Sequence, residues 1–202
     1  ANPIMEKIWF AELEDAEGTQ NFLTSGQNYS ELNGQKANLY KCFLPQSWWI
    51  ANDKGYIGFL HPDGIFDEAN GGCFRALIYP RLKSHFGFKN EVNLFVDVDH
   101  HTKFSINVYS SYSKGKVDFT SISNLFLPKT IDQCFQIENY DEYGVKNIDG
   151  AWEIRGNKSR IIKINEDNLE IFAKLYDDTG TSALKAKLPD VHSIKLLGVL
   201  SK

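Results

Sequence analysis

The sequence lacks a long apolar run, a cysteine-rich framework and an excess of basic residues. No apolar stretch approaches the ~20 residues that cross a bilayer, so we do not expect a membrane protein. No basic start precedes an apolar segment, so we expect no signal peptide. Lys and Arg number 22 against 26 Asp and Glu, and the net charge is −4. This balance argues against a free-standing nucleic-acid binder, which usually carries a basic face.

Cysteine is scarce, and its pattern is informative. Cys42, Cys73 and Cys134 are odd in number and widely spaced, which is typical of thiols in a reducing cytoplasm. No base and no cluster of ligands accompanies them, so neither a catalytic thiol nor a zinc site is predicted around them. We therefore expect a cytoplasmic protein.

Several catalytic motifs are also missing. The sequence has no nucleophile elbow, and Gly71 and Gly72 lack the lysine of a phosphate-binding loop. Asp97 and Asp99, with the histidines that follow them, form a weak candidate for a zinc, manganese or iron site. A polar hairpin tip explains the same residues, so no metal site is predicted.

The composition is that of a globular domain, with 42% hydrophobic and 13% aromatic residues. Hydrophobic spacing predicts helices over 3–25 and 37–52, with a kink or restart at Pro45. The apolar run 56–60 predicts a strand that is buried on both faces and ends in the turn 61–64.

The rest of the chain continues the α/β pattern. A helix is predicted over 71–86, and two strands at 93–98 and 104–108 are close enough to form only an antiparallel hairpin. After Ser110 the character changes, and residues 113–202 are predicted to be mixed and mostly helical. The elements predicted there are a strand at 117–122, a short strand or the lead-in to a helix at 161–164, helices near 130–136, 165–176, 182–187 and 191–200, and a loop over 138–160.

An ordered series of features spans residues 38–109. It opens with Asn38-Leu39-Tyr40 and Phe43, continues with a strand ending in His61-Pro62 and a helix carrying Arg75, and closes with the hairpin. This series resembles the second half of the catalytic domain of adenine-N6 DNA methyltransferases of restriction-modification systems. Residues 16–22, 99–107 and 172–176 are similar to large fused type II methylase subunits, so the resemblance covers nearly the whole chain.

The resemblance implies an α/β fold: a partial S-adenosylmethionine-dependent methyltransferase sheet that ends in an antiparallel hairpin, plus a small, mostly helical appendage. Residues 1–112 would be the second half of the catalytic domain, and 113–202 the appendage. The family's glycine-rich cofactor turn is missing. Its Asn-Pro-Pro-aromatic loop is missing too, because Ile4 and Met5 follow Asn2-Pro3. No catalytic or cofactor-binding residue is therefore predicted. The chain would be inactive alone, an excised piece of a parent that uses S-adenosylmethionine.

The resemblance also implies residues that line the cleft for a flipped base. The base-pocket candidates are His100, His101, Thr102 and Lys103, and the cleft candidates are Asn38, Tyr40, His61 and Pro62. His101 is favoured over His100 because strand alternation gives it the same face as Lys103 and Asn107, with Phe104 and Ile106 toward the core. In the simpler interpretation, one histidine caps the hairpin and the other is solvated. Arg75, His85 and His192 carry no predicted role beyond structure.

The expected partners follow from the same interpretation. They are double-stranded DNA, through the parent enzyme, and the missing N-terminal half of the methyltransferase domain. The strand 56–60 would lose its neighbour, so we expect self-association through its exposed edge, or cover by 3–25. Two alternatives stay open: a non-catalytic α/β interaction module, and a metal-dependent nuclease-type domain that uses Asp97 and Asp99.

Overall fold

The computed structural model describes residues 2–36, 38–113, 115–137 and 144–200. The chain divides into two compact units, Ala1–Ile50 and Ala51–Lys202, whereas the sequence suggested a division after residue 112. The assignment of 1–112 to half of a methyltransferase domain stays a prediction. Among the described residues, no helix combines the length and apolarity that a membrane span needs.

The described residues of the first unit form two α-helices and one 3₁₀ turn, Ser30–Leu32. Helix α1, Pro3–Thr24, confirms the predicted helix over 3–25. It begins where the Asn2 side chain accepts a hydrogen bond from the Ile4 amide at 3.0 Å, and Pro3 occupies the first turn, where its missing N–H is not needed. Helix α2, Leu39–Ile50, runs through Pro45 as one helix.

The second unit is built on a five-stranded sheet. Its strands are β1 (Tyr56–Pro62), β2 (Leu82–Lys89), β3 (Lys103–Ser110), β4 (Asp118–Leu125) and β5 (Ile162–Asn165). They lie in the order β1-β3-β2-β4-β5, with β2 and β4 parallel and the other neighbours antiparallel. The predicted α/β class is confirmed, and β4 and β5 join the same sheet from the predicted appendage. An antiparallel hairpin is present, but it is formed by β2 and β3 and not by 93–98 with 104–108.

The predicted helix over 71–86 is wrong in its second half. Helix α4 covers Gly72–Ile78, and β2 begins at Leu82. Pro80 explains the break, because its ring cannot continue a helix. Beyond it, the phenylalanines at 86 and 88 recur with the period of two that a strand requires.

The predicted strand over 93–98 is also wrong. Residues 90–102 form a connector between β2 and β3 that opens with a short 3₁₀ turn, Asn90–Val92. The Asn90 side chain donates to the carbonyls of Phe95 and Val98, both at 2.8 Å, and accepts from the Phe95 amide at 3.0 Å. These bonds satisfy backbone groups that a strand would pair with a neighbour, so the hairpin joins β2 to β3 across this connector.

Strand β1 lies at an edge of the sheet, so the prediction of a strand buried on both faces is wrong. Tyr56 and Leu60 are 67% and 52% exposed. Among the described residues, only β3 pairs with it. Self-association through this edge stays a prediction.

Short helices cover both faces of the sheet. Helix α3, Gly64–Asp67, precedes α4, and its Phe66 packs edge-on against His85 of β2 with the ring centroids 4.8 Å apart. On the opposite face, Phe88 and Phe104 stack at 5.3 Å in a cluster that includes Cys134 of helix α5, Lys129–Gln136. Each face of the hairpin is therefore covered.

The C-terminal part of the chain, which follows β5, contacts α3 and α4. Helix α6, Glu166–Tyr176, starts at the predicted cap Asn165, which exchanges hydrogen bonds with Asn168. The predicted helix over 182–187 is reduced to one 3₁₀ turn, Ala183–Lys185, and α7 covers Ile194–Leu200. Of the predicted loop over 138–160, residues 138–143 lie outside the described part of the chain.

Arg75 has a structural role, and it fills that role from a buried position. It is 1% exposed, and its guanidinium donates two hydrogen bonds to the Lys185 carbonyl, at 2.9 and 3.0 Å. It also donates to the Glu68 carbonyl at 2.7 Å. Arg75 thus ties the segment after α6 to α4.

Candidate functional site

The end of β1 and the start of β3 bring several predicted residues together. His61 is in register with Ser105, and Pro62 with Phe104. One residue further, the Asp63 amide donates to the Lys103 carbonyl at 3.2 Å. The cleft candidates His61 and Pro62 and the base-pocket candidate Lys103 therefore lie at the same end of the sheet.

His61 is buried and neutral. Its Nδ1 lies 2.7 Å from the Pro62 carbonyl, which can only accept, so Nδ1 carries the hydrogen. Nε2 is then the acceptor, and its one lone pair is shared by two donors, the Tyr109 hydroxyl at 2.9 Å and the Asn107 side-chain amide nitrogen at 3.0 Å. Burial lowers the pKa of His61 below its ordinary value, which favours the neutral imidazole. Its ring is fully engaged in holding β1 against β3.

Asp63 and His85 form a buried carboxylate–imidazole pair. His85 Nε2 donates to Asp63 Oδ1 at 3.2 Å, with the side chains 2% and 11% exposed. His85 Nδ1 lies 3.1 Å from the Ser121 hydroxyl. Burial opposes ionisation of Asp63, but the charge and hydrogen bond of His85 and a hydrogen bond from Ser105 outweigh it and lower the pKa of the carboxyl.

Sequence reasoning missed this pair because it assigned His85 to a helix. The signal that could have found it is the alternation after Pro80, where Phe86 and Phe88 hold even-numbered positions and His85 holds an odd-numbered one. A strand there puts His85 on the face opposite to those phenylalanines. Its position beside Asp63 then depends on strand order, which no local pattern contains.

A cleft of about 180 Å³ opens beside Asp63, and we call it the strand-end cleft. Its lining residues are Asp63, Phe66, Asp67, Lys103, Tyr176, Lys187, Leu188, Pro189 and Asp190. The volume is below the roughly 300–1,000 Å³ of pockets for drug-sized ligands, so it suits a small group.

Carboxylates dominate the chemistry of the strand-end cleft. Lys103 Nζ is 2.7 Å from Asp190 Oδ2, and although burial works against its charge, this bond raises the pKa of Lys103. Lys187 Nζ lies 3.6 Å from Asp177. Burial raises the pKa of Asp67, and the charges of Asp63 and Asp190 contribute to the same shift. With both lysines engaged, the cleft presents acceptor oxygens to a hydrogen-bond donor such as an amino group.

The other base-pocket candidates lie in the connector between β2 and β3. His100 and His101 are exposed, and Thr102 is half-buried. Of the four candidates, only Lys103 lines the strand-end cleft. The prediction that Phe104 faces the core is confirmed. The opposite face of β3, which carries Asn107, is buried as well, because α3 and α4 cover it.

Asn38 and Tyr40 belong to the first unit. The Asn38 carbonyl accepts from the Lys41 amide at 3.0 Å, and its side chain accepts from the Tyr40 amide at 3.3 Å. These bonds start helix α2, so Asn38 has a structural role. Tyr40 is half-buried in the first turn.

The nuclease-type alternative depends on Asp97, which lies in the predicted strand 93–98, and on Asp99 directly after it. Both residues lie in the connector instead, where they are exposed. The Asp99 side chain accepts from the His101 amide at 2.8 Å, which makes a local turn. The strand geometry on which that alternative depended is therefore wrong.

Comparison with known proteins found neighbours only among solved structures; no family model and no curated protein matches the chain. The chain is similar to the type IIG restriction endonuclease BpuSI at 13% identity, with a TM-score of 0.44 over 84% of this chain and 18% of that one. It is similar to a type I restriction-modification methyltransferase subunit from Streptococcus thermophilus at 13% identity, with a TM-score of 0.43 over 84% of this chain and 34% of that one. It is similar to the type I EcoKI M protein at 12% identity, with a TM-score of 0.43 over 83% of this chain and 42% of that one. The chain thus spans less than half of each of these proteins.

Proposed function

We propose that this chain is part of an S-adenosylmethionine-dependent DNA adenine-N6 methyltransferase of a restriction-modification system, where it lines the side of the cleft that receives the flipped base. The ordered series of sequence features over residues 38–109 supports the assignment to this family. The observation that carries the role is the strand-end cleft, where the turn after His61-Pro62 and Lys103 surround a small, carboxylate-lined space.

The chemistry of the strand-end cleft suits a base that carries an amino group. An enzyme that modifies the amino group of adenine takes the base out of the helical stack, because the target atom is unreachable within a duplex. Asp63 and Asp67 offer carboxylate oxygens that can accept hydrogen bonds from such a group. The Lys103–Asp190 ion pair holds the segment around Pro189 against β3 and so fixes the opposite wall.

S-adenosylmethionine has no matching residues in this chain. The sequence contains neither the glycine-rich turn nor the Asn-Pro-Pro-aromatic loop, and the strand-end cleft is small and acidic. The methyl donor and the catalytic loop would come from the remaining half of the methyltransferase domain.

A methyltransferase assay on the full-length parent protein tests the proposal. The assay measures incorporation of label from radioactive S-adenosylmethionine into adenine of duplex DNA. We expect incorporation by the wild-type protein and at least a tenfold loss of kcat/KM in Asp67→Ala. Glu170→Gln, an exposed carboxylate on α6, is the matched control and should keep full activity.

Two results would overturn the proposal. No incorporation by the folded wild-type protein would favour a non-catalytic interaction module. Equal kcat/KM in Asp67→Ala and Glu170→Gln would remove the strand-end cleft from the site of base recognition.

A further inference from the structure

A second cluster of chemically active side chains lies in the connector between β2 and β3. Glu91, His100 and His101 each present one ligand atom, a carboxylate oxygen or an imidazole nitrogen, and these atoms all lie within 4.8 Å of one another. The His101 Nδ1 to Glu91 Oε1 distance is 3.5 Å, and the two imidazole centroids are 3.8 Å apart. None of the three lines the strand-end cleft.

The backbone on both sides of this cluster is held in place. Asn90 is fully buried, and its three side-chain hydrogen bonds fold the connector back on itself immediately beside Glu91. At the other end, Asp99 accepts from the His101 amide, and the Asn90 amide donates to the Thr102 carbonyl at 3.1 Å. The approach of residue 91 to residues 100 and 101 is therefore part of the fold.

We propose that Glu91, His100 and His101 bind a divalent transition-metal ion, with zinc as the best fit. Two imidazoles and one carboxylate are ligands that zinc accepts, and three protein ligands leave a fourth position for water. Bonds of about 2.1 Å in a tetrahedral site put ligand atoms roughly 3.4 Å apart. The exposed imidazoles need only small rotations to contract the cluster to that size.

These ligands differ from the metal-site candidates of the sequence analysis, which combined Asp97 and Asp99 with the two histidines. Asp97 is outside the cluster, and the Asp99 carboxylate is used to orient His101. Glu91 takes the carboxylate position because the 3₁₀ turn at the start of the connector brings it opposite the histidines. Bound zinc would cross-link the two ends of the connector. It would also occupy both imidazoles, so that only Thr102 and Lys103 of the base-pocket candidates stay available.

Calorimetric titration of the chain with zinc sulfate tests the proposal. We expect one zinc per chain, and at least a tenfold weaker affinity in each of Glu91→Gln, His100→Ala and His101→Ala, because even residues that only orient a ligand commonly change metal affinity by about 10- to 100-fold. Asp97→Asn is the matched control for a connector carboxylate, and Cys73→Ser removes an exposed thiol. Both should bind zinc as the wild type does. Cobalt should give the visible absorption of a tetrahedral site.

The proposal is overturned if the wild type shows no saturable binding of one zinc, or if the three ligand variants bind as tightly as Asp97→Asn. Far-UV circular dichroism of each variant checks the fold, which substitutions in this exposed connector should preserve. The titration uses neither DNA nor a methyl donor, so its failure is separate from a failure of the proposed methyltransferase function.

Discussion

His85 Nε2 donates to the Asp63 carboxylate at 3.2 Å, although 22 residues separate them and strand β3 lies between their strands in the sheet. Asp63 reaches His85 because it follows the last residue of β1, where the chain turns over the sheet face toward α3. The pair supports the inner wall of the strand-end cleft, so the rigidity of that wall depends on it.

We expect a double-mutant cycle to detect this pair. Removing Asp63 leaves a buried imidazole N–H without an acceptor, and removing His85 leaves a buried carboxylate with fewer donors, each of which costs about 1–3 kcal/mol. Asp63→Ala and His85→Ala should be non-additive by about 0.5–3 kcal/mol in urea unfolding. Asp53→Ala, at an exposed turn, should have little effect. Strict additivity would mean that the two side chains do not interact.

Stability should fall as the pH falls below about 6.5, in part because of His61. Its pKa is lower in the folded chain than its ordinary value of 6.5, so the unfolded chain takes up the proton first and unfolding becomes easier as the solution is acidified. The contribution is complete above pH 6.5 and is lost as the pH falls toward the folded-state pKa.

His61→Gln should reduce this pH dependence, measured as the difference in unfolding free energy between pH 7.5 and pH 5.5. The exposed His100→Gln is the control and should keep the wild-type slope. An unchanged slope in His61→Gln would show that burial of this imidazole does not set the acid sensitivity.

Gly156 should tolerate no side chain. A Cβ atom there would overlap the Thr130 carbonyl and lie 2.7 Å from the Cys134 amide nitrogen, both in the backbone of α5. Gly156→Ala should lower the unfolding free energy by about 1–3 kcal/mol. Gly144 has no atom within 4 Å of the same position, so Gly144→Ala should be neutral. Equal stability of the two variants in thermal unfolding would contradict this packing.

The chain should self-associate through β1. An edge strand with exposed apolar residues is a template for pairing with another chain, and Leu60 is 52% exposed on this edge strand. Sedimentation equilibrium should show a dimer or larger species that Leu60→Lys weakens. Ile148→Lys, at a site that is 81% exposed outside the strands, is the matched control. A wild-type chain that stays monomeric at high concentration would refute the prediction.

The chain alone should not bind S-adenosylmethionine at micromolar concentration. The reason is the missing glycine-rich turn, which in the family that the sequence resembles cradles the cofactor. Isothermal calorimetry should give heats equal to those of dilution. Saturable micromolar binding would show that the chain contains a complete cofactor site, and the interpretation as part of a larger domain would fail.

Some elements could be predicted from the sequence because their signals are local. Helix α1 starts at Asn2-Pro3, and α6 starts at Asn165, where a side chain two or three residues away satisfies the free amides of the first turn. Local signals gave a wrong prediction for the connector between β2 and β3. Its apolar residues 94–96 and 98 suit a strand, but the side chain of the buried Asn90 pairs with backbone groups that a strand would pair with its neighbour.

Several residues of the candidate sites could be found from the sequence alone, since His61-Pro62 ends an apolar run and His100 and His101 lie close to Lys103. Which of these residues come into contact depends on the three-dimensional fold. Strand order β1-β3-β2 brings His85 to Asp63, and the fold of the connector brings Glu91 to the two histidines. The physical reason is that capping and periodicity depend on neighbours within a few residues, whereas strand pairing and buried hydrogen bonds are selected by the free energy of the whole packed unit.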